Sequence, residues 1–134
     1  MNTVRKSLSS DTPGALPEKL INECRDSLLQ TKESLIHRRQ NLKAEYMKRD
    51  KSGDEVDQSV EILAEHQYLS SQQRITQQII EIENALARIE HGLYGYCEET
   101  EELIEIDRLR AIPWTRLSLE GAEIREALKK RFAR

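Results

Sequence analysis

Two aspartates and one cysteine are the residues of this chain whose types and positions suggest chemistry. Asp54 and Asp57 lie three positions apart in a polar segment that also contains Gly53. Acids at such a place can cap a helix, contact a protein partner, or hold a catalytic magnesium ion. Cys97 has no histidine-containing base motif around it, which predicts a small buried residue rather than a nucleophile.

Other residue types add no catalytic pattern. The three histidines are scattered and form no pair at helical i, i+4 spacing, so we expect no metal site from them: they are His37, His66 and His91. Cys24 is expected to be buried, and redox sensing by Cys97 stays an alternative that lacks a nearby resolving cysteine. Without a phosphate loop, a metal constellation or a nucleophile–base pair, the chain is predicted not to be an enzyme.

Composition narrows the fold class. The 134 residues suit one domain, and with 37% hydrophobic and 34% charged residues they favour long solvated helices over a large rounded core. The net charge of −3 gives no general electrostatic reason to bind nucleic acid, which favours a protein partner. Two distant cysteines, no signal peptide and no apolar run of about 18 residues predict a cytoplasmic protein that does not enter a membrane.

The elements that must position the two aspartates are two long helices. Residues 1–16 have no apolar period and are predicted to be a flexible arm. From Pro17 to about Arg49, leucines and isoleucines recur at steps of seven with Cys24 between them, as in a coiled coil: Ile21, Leu28, Leu35 and Leu42.

A tip near residues 50–59 reverses the chain, and Asp54 or Asp57 can cap the second helix. Its apolar residues follow at steps of four and three: Ile75, Ile79, Ile82, Leu86 and Ile89. Neither helix can bury its stripe alone, so residues 17–91 are predicted to form an antiparallel coiled-coil hairpin.

Gly92 marks the end of the second helix, and residues 92–134 are predicted to form a small globular region. Its candidate core residues are apolar, aromatic or thiol side chains: Tyr94, Tyr96, Cys97, Ile104, Ile106, Leu109, Ile112, Trp114 and Leu117. From about Ala122 a short helix is expected to end the chain, with cations in its last turn. The fold class is therefore mainly all-α.

Two segments resemble one known family. Tyr94-Gly95-Tyr96-Cys97 and the segment 104–109 are similar to the opening of the finger in the DksA/TraR family of C4 zinc-finger transcription factors. Asp54 and Asp57 match that family's acidic hairpin tip, at a spacing from Cys97 that needs no gap. Ser59 stands where the family has alanine, a change that adds one hydroxyl group.

The resemblance also places the four zinc-ligand positions, on Cys97, Thr100, Ser118 and Gly121. Because a structural zinc needs four cysteine or histidine donors, we expect no bound zinc. The chain then resembles family members with a degenerate finger that fold without the metal, and apolar packing must replace it.

For function, the resemblance implies a monomeric regulator that enters the secondary channel of RNA polymerase, without direct DNA binding. The tip residues Asp54, Asp57 and Ser59 then contact the polymerase and modulate initiation at rRNA and stringent-response promoters. The alarmone ppGpp strengthens this effect in the family, and Arg74 and Arg125 are the candidates here to contact it. A plain surface role for Arg74 is the alternative.

Two other classes stay open at this point. A Gre-like cleavage factor also carries tip acids, but uses them to hold magnesium and stimulate RNA cleavage; the segment Tyr94–Cys97 argues against it. A coiled-coil adaptor or chaperone would instead bind partners along the sides of the hairpin, so that the tip would have no importance.

Overall fold

The computed structural model describes residues 16–49 and 57–133, and these form four helices. Helix α1 is Glu18–Met47, α2 is Gln58–Glu90, α3 is Ile106–Ala111 and α4 is Leu119–Phe132. The described residues contain no strand, only an isolated bridge between Tyr96 and Leu103. The prediction of a mainly all-α chain with a helical hairpin is confirmed.

The chain divides into two compact units, and each long helix contributes to both. One unit joins the chain up to Leu29 with the part from Glu81 onward, and the other is Gln30–Ile80. Within Gln30–Ile80, Arg39 of α1 contacts Thr76 of α2 and Tyr46 contacts Tyr68. Because later residues of α1 meet earlier residues of α2, the two helices run antiparallel, as the pattern predicts.

The buried stripe of α1 differs from the predicted one in its first turn. Leu20, Cys24, Leu28 and Leu35 are buried, whereas Ile21 is only partly covered. Leu20 and Ile21 are neighbours and cannot both face inward, and the steps of four that lead through Cys24 to Leu28 select Leu20. Leu42 is partly covered as well.

The stripe of α2 agrees with the prediction at four positions and departs from it at one. Ile75, Ile79, Ile82 and Ile89 are buried. The remaining buried position is Ala85, with no exposed surface, while the predicted Leu86 is only partly covered. A methyl group thus lies in the seam where we expected a larger side chain.

Helix α2 ends at a glycine. Gly92 has a positive φ of 70°, and the amide groups of Leu93 and Gly92 donate to the carbonyl oxygens of Arg88 and Ile89 at 2.8 and 3.2 Å. This is the geometry of a Schellman cap, in which glycine adopts the left-handed conformation without steric cost. It turns the chain directly into the region that begins at Tyr94.

The small core after α2 contains fewer buried residues than the sequence predicts. Tyr94, Cys97, Ile104 and Leu109 are buried, whereas the predicted core residues Tyr96 and Ile106 are exposed. Ile112, Trp114 and Leu117 are partly covered. Short loops alternate between inward and outward residues with no regular period, so composition alone does not separate the two sets.

Leu16 was predicted to belong to the flexible arm, but it is 7% exposed and is part of this core. It fits because Gly95 lies against it: a β-carbon at position 95 would overlap the Leu16 side chain. Gly95 also has a φ of 92°, which other residues rarely adopt. The rest of the predicted arm, residues 1–15, lies outside the described residues.

Helix α3 has no counterpart in the prediction, and α4 begins earlier than expected. The predicted start near Ala122 is wrong because Ser118 caps the helix: its hydroxyl accepts a hydrogen bond from the amide of Gly121 at 3.0 Å. The predicted cations of the last turn are present as Lys129, Lys130 and Arg131.

Leu28 and Leu29 offer a matched pair for testing the seam. Leu28 is fully buried and Leu29 is 49% exposed. We expect Leu28→Ala to lower the free energy of unfolding by about 2–5 kcal/mol, because it removes buried methyl groups and leaves a cavity. Leu29→Ala should change it by less than about 0.5 kcal/mol. Urea unfolding followed by helical circular dichroism measures both, and equal effects would contradict this seam.

Candidate functional site

The four positions assigned by resemblance to a zinc site meet in space. The Cys97 sulfur accepts hydrogen bonds from the Thr100 amide at 3.5 Å and from the Ser118 hydroxyl at 3.4 Å. Gly121 lies directly against Cys97, so that an added β-carbon would overlap the sulfur. We call Cys97, Thr100, Ser118 and Gly121 the knuckle cluster.

Two local structures position the knuckle cluster. After Cys97 the chain makes a tight turn. The amide of Glu101 donates to the carbonyl oxygen of Cys97 at 2.9 Å, and the amide of Cys97 donates to the carbonyl oxygen of Glu102 at 2.8 Å. Glu101 takes a left-handed φ of 62° to close this turn. The second structure is the N-terminus of α4, where Ser118 serves both as the cap and as a donor to the Cys97 sulfur.

These contacts change the acidity of the Cys97 thiol. Burial alone raises its pKa, but hydrogen bonds from the side chains and backbones of Ser118 and Thr100 outweigh burial and lower the pKa from 9.0 to about 6. The cysteine is 2% exposed, so its thiolate is stabilised inside the protein and shielded from solvent. Cys97 is therefore a buried polar anchor rather than a simple small hydrophobe.

The donor set does not fit a structural zinc ion. Thr100 and Ser118 supply hydroxyl groups, Gly121 supplies no side chain, and the Ser118 hydroxyl is already engaged by the Gly121 amide. The contact of Gly121 with the sulfur also fills the space that a fourth ligand would need. Within residues 16–49 and 57–133 no group of three or more His, Cys, Asp or Glu side chains is placed to hold a metal.

Buried polar contacts tie the loop before α4 to the end of α2. The Tyr94 hydroxyl donates to the carbonyl oxygen of Pro113 at 2.7 Å, and burial raises the pKa of Tyr94. Arg88 donates to the carbonyl oxygens of Trp114 and Thr115 at 3.3 and 3.4 Å. Desolvation, and next the nearby charge of Arg116, lower the pKa of Arg88.

A shallow cleft of about 380 Å³ lies beside these contacts and is lined by several arginines. Arg116 forms an ion pair with Glu81 at 3.3 Å and a longer one with Glu98 at 3.7 Å. The Arg116 Nε atom is buried and makes no well-directed hydrogen bond, so its contact with Glu81 is one of charge only. Neither Arg88 nor Arg116 is predicted from the sequence, because one cation on a helix and one in a loop form no motif.

The two candidate ppGpp contacts have different surroundings. Arg125 lines the cleft, but its guanidinium is held by Glu99, with an Nη2 to Oε2 distance of 2.7 Å, and hydrogen bonding to Glu99 raises its pKa. Arg74 is exposed on α2 within Gln30–Ile80. A phosphate group at Arg125 therefore has to displace Glu99 or share the guanidinium with it.

At the start of α2, the structure describes two of the three predicted tip residues. Asp57 is the N-cap: its Oδ1 accepts from the Ser59 amide at 3.1 Å, and its carbonyl oxygen accepts from Val60 at 2.9 Å. Hydrogen bonds from the Ser59 side chain and backbone keep the pKa of Asp57 below its usual value. Both residues are exposed, and Asp54 lies outside the described residues.

None of the described helices is both long enough and apolar enough to cross a lipid bilayer.

Comparisons with known proteins agree with this architecture. Residues 92–127 match the family described as the prokaryotic dksA/traR C4-type zinc finger. The RNA polymerase-binding transcription factor DksA of Caulobacter vibrioides is 32% identical over 109 residues, which cover 81% of this chain and 72% of that protein. General stress protein 16O of Bacillus subtilis is 36% identical over 50 residues, 37% of this chain and 31% of its own.

A solved structure extends the likeness to nearly the whole fold. The structure of transcription factor DksA2 from Pseudomonas aeruginosa superimposes with a TM-score of 0.78 at 26% sequence identity, covering 95% of this chain and 98% of that one. A helical hairpin followed by a small finger-like region thus defines the class of protein to which this chain belongs. The chain belongs to the DksA family. Two of these relatives are named as transcription factors, which agrees with the prediction that the chain is not an enzyme.

The Cys97 thiol makes stability depend on pH. Because its pKa is about 6 in the folded protein and 9.0 ordinarily, unfolding takes up a proton between these values, and stability rises with pH across that window. We expect wild type to gain up to about 1.4 kcal/mol per pH unit relative to Cys97→Ser, and to lose this advantage as pH falls through 6. Urea unfolding of both proteins measures the difference; parallel pH profiles would contradict it.

Proposed function

We propose that this protein is a regulator of transcription initiation that binds RNA polymerase through the secondary channel and acts with the tip of its hairpin. The observation that carries the proposal is the exposed Asp57 carboxylate at the N-terminus of α2, in a chain of the DksA family. Like any exposed aspartate, it is ionised at physiological pH, and the lowering of its pKa by Ser59 acts in the same direction, so its charge is available to a basic or hydrogen-bonding partner.

The length of the helices supports this mode of binding. Helix α1 has 30 residues and α2 has 33. At 1.5 Å per residue each is about 45–50 Å long, enough to reach deep into a narrow channel. We assign insertion to the hairpin, residues 17–91, and contact with the channel rim to residues 92–134. Asp54, Asp57 and Ser59 then contact mobile parts of the polymerase near its catalytic centre, in the cytoplasm.

The tip acids act through contact and not through chemistry of their own. Asp57 accepts hydrogen bonds from the amide and the side chain of Ser59, and its exposed carboxylate has further lone pairs with which to accept a donor on the polymerase. By destabilising the open complex, this contact modulates initiation at rRNA and stringent-response promoters. A monomer suffices for such a role, and DNA need not be touched.

We propose that ppGpp acts at the interface between this protein and the polymerase, with Arg74 and Arg125 as contacts. Arginine pairs bidentately with phosphate, which suits Arg125 in its cleft. The ion pair with Glu99 competes for the same guanidinium, so this contact forms at the expense of that pair.

We propose further that the fold is independent of zinc. Three contacts at the expected ligand positions support this proposal. They are the Cys97–Ser118 hydrogen bond, the cap of α4 and the packing of Gly121 against the Cys97 sulfur. Cells that carry such a factor keep this regulation when zinc is scarce.

The substitution Asp57→Asn separates the charge of the tip from its structural role. Asparagine caps a helix about as well as aspartate, so α2 should begin at the same residue and the urea unfolding midpoint should not move. We expect inhibition of an rRNA promoter in vitro to fall by about tenfold, because a charge-assisted contact is lost. Asp57→Ala, which removes both cap and charge, is the companion variant.

The same assay distinguishes the other classes. Equal inhibition by wild type and Asp57→Asn, or none by either, supports the adaptor function. Strong stimulation of transcript cleavage in stalled elongation complexes supports a Gre-like factor instead.

Metal removal tests zinc independence. We expect excess EDTA to leave the thermal midpoint and promoter inhibition unchanged, since zinc in dependent fingers contributes about 10–16 kcal/mol to folding and its loss is unmistakable. The matched control is Thr100→Cys/Ser118→Cys/Gly121→Cys, which restores four thiols at the knuckle cluster; it should bind zinc once the backbone at position 121 moves away from Cys97 to make room for the added side chain. Unfolding of the wild type by EDTA would overturn the proposal.

A further inference from the structure

We propose that the ion pair between Arg49 and Glu61 is a positioning element that holds the first turn of α2, and with it the Asp57 carboxylate, against the end of α1. This inference rests on the function proposed above and adds to it a pair of residues that touch no partner themselves. The observations behind it all lie within the unit Gln30–Ile80.

Arg49 approaches Glu61 with both arms of its guanidinium. Its Nη2 lies 3.3 Å from Oε1 and its Nη1 lies 3.5 Å from Oε2, a fork geometry that fixes the direction as well as the distance of the contact. The two side chains are each 29% exposed, so they are partly withdrawn from solvent and screened less than a fully exposed pair.

Glu61 is coupled directly to Asp57 through the backbone. The amide of Glu61 donates to the carbonyl oxygen of Asp57 at 3.2 Å, and the amide of Val60 donates to the same oxygen at 2.9 Å. The side chain that Arg49 grips and the carboxylate at the cap therefore belong to one hydrogen-bonded turn of helix. Any rotation of that turn moves both of them together.

Arg49 is itself held in place from the other side. Its guanidinium carbon lies 5.6 Å from the centre of the Tyr46 ring, in cation–π contact. Tyr46 in turn stacks on Tyr68 of α2, with ring centres 4.1 Å apart and planes inclined by 8°. These contacts form one continuous chain that crosses from α2 to the end of α1 and back to α2, through Glu61, Arg49, Tyr46 and Tyr68.

The pair matters because the seam in this unit changes character along the hairpin. Leu35, Ile75 and Ile79 are buried, but beyond them the positions nearest the seam are only partly covered and, apart from Leu42 and Ala64, are polar or aromatic. Arg39 bonds Thr76 there at 3.4 Å, and Gln72 bonds the carbonyl oxygen of Arg39 at 3.2 Å. With so little apolar burial, directional contacts set the orientation of the first turn of α2.

If the ion pair only positions Asp57, its loss should lower the inhibition of transcription without lowering the affinity for RNA polymerase. In Arg49→Ala and Glu61→Ala we expect the maximum inhibition of an rRNA promoter to fall by about threefold, which corresponds to the energy of a partly exposed ion pair. Affinity for the polymerase, measured by direct binding, should stay within about twofold. The double variant should be no worse than either single one, because both remove the same contact.

Two further variants keep the test specific. The swap Arg49→Glu/Glu61→Arg rebuilds the pair in reverse and should recover part of the lost inhibition. Arg38→Ala removes an exposed cation from α1, the helix that precedes Arg49, and should have no effect. Additive losses in the double variant, or a parallel loss of affinity and inhibition, would overturn the positioning role.

Hydrogen exchange in the free protein provides a readout that needs no polymerase. The amides of Ser59, Val60 and Glu61 should exchange about threefold faster in Arg49→Ala than in wild type, while amides around Ile79 stay unchanged. If exchange accelerates but inhibition does not fall, the ion pair is structural only and the proposal is wrong. If the wild type itself does not inhibit, the proposed function has failed, which is a different result from failure of the pair.

Discussion

Burial of a narrow apolar stripe is the constraint on which the rest of this protein depends. A helix with one apolar residue every three or four positions gains too little from its own hydrogen bonds to be stable in water, and needs a second helix to cover that stripe. Leu28 and Ile82, each with almost no exposed surface, show how completely the covering is achieved. The remaining faces of α1 and α2 are then free to be charged, which explains the composition.

The finger-like region meets a different requirement, because it is too small to build a large core. Its relatives are described by a C4 zinc finger, yet three of the four matching positions here carry no thiol. At these positions a serine caps a helix, a glycine allows close approach and a cysteine sulfur accepts two hydrogen bonds. Local hydrogen bonding and packing thus join the turn after Cys97 to α4.

The hairpin shows a gradient from apolar to polar contacts. Buried isoleucines and leucines dominate the seam around Leu28 and Ile82. Polar or aromatic pairs dominate the part of the seam that lies closer to Asp57. Apolar burial is strong but has no direction, whereas hydrogen bonds and ion pairs are weak and directional. A seam of the second kind suits a segment whose orientation matters more than its stability.

The sequence was enough to predict the helical hairpin, the glycine that ends α2 and an aspartate cap for α2 at Asp54 or Asp57, because each depends on periodicity or on residues close in the chain. It also placed the knuckle cluster through resemblance.

The sequence did not determine that Leu20 and Ala85 take seam positions in place of Ile21 and Leu86, since neighbouring residues compete for one inward position and only packing decides. Tertiary structure alone also decided that Leu16 is buried against Gly95, that Ser118 both caps α4 and bonds Cys97, and that Arg49 meets Glu61. Those contacts join residues distant in sequence, and their partners become neighbours only after the chain has folded.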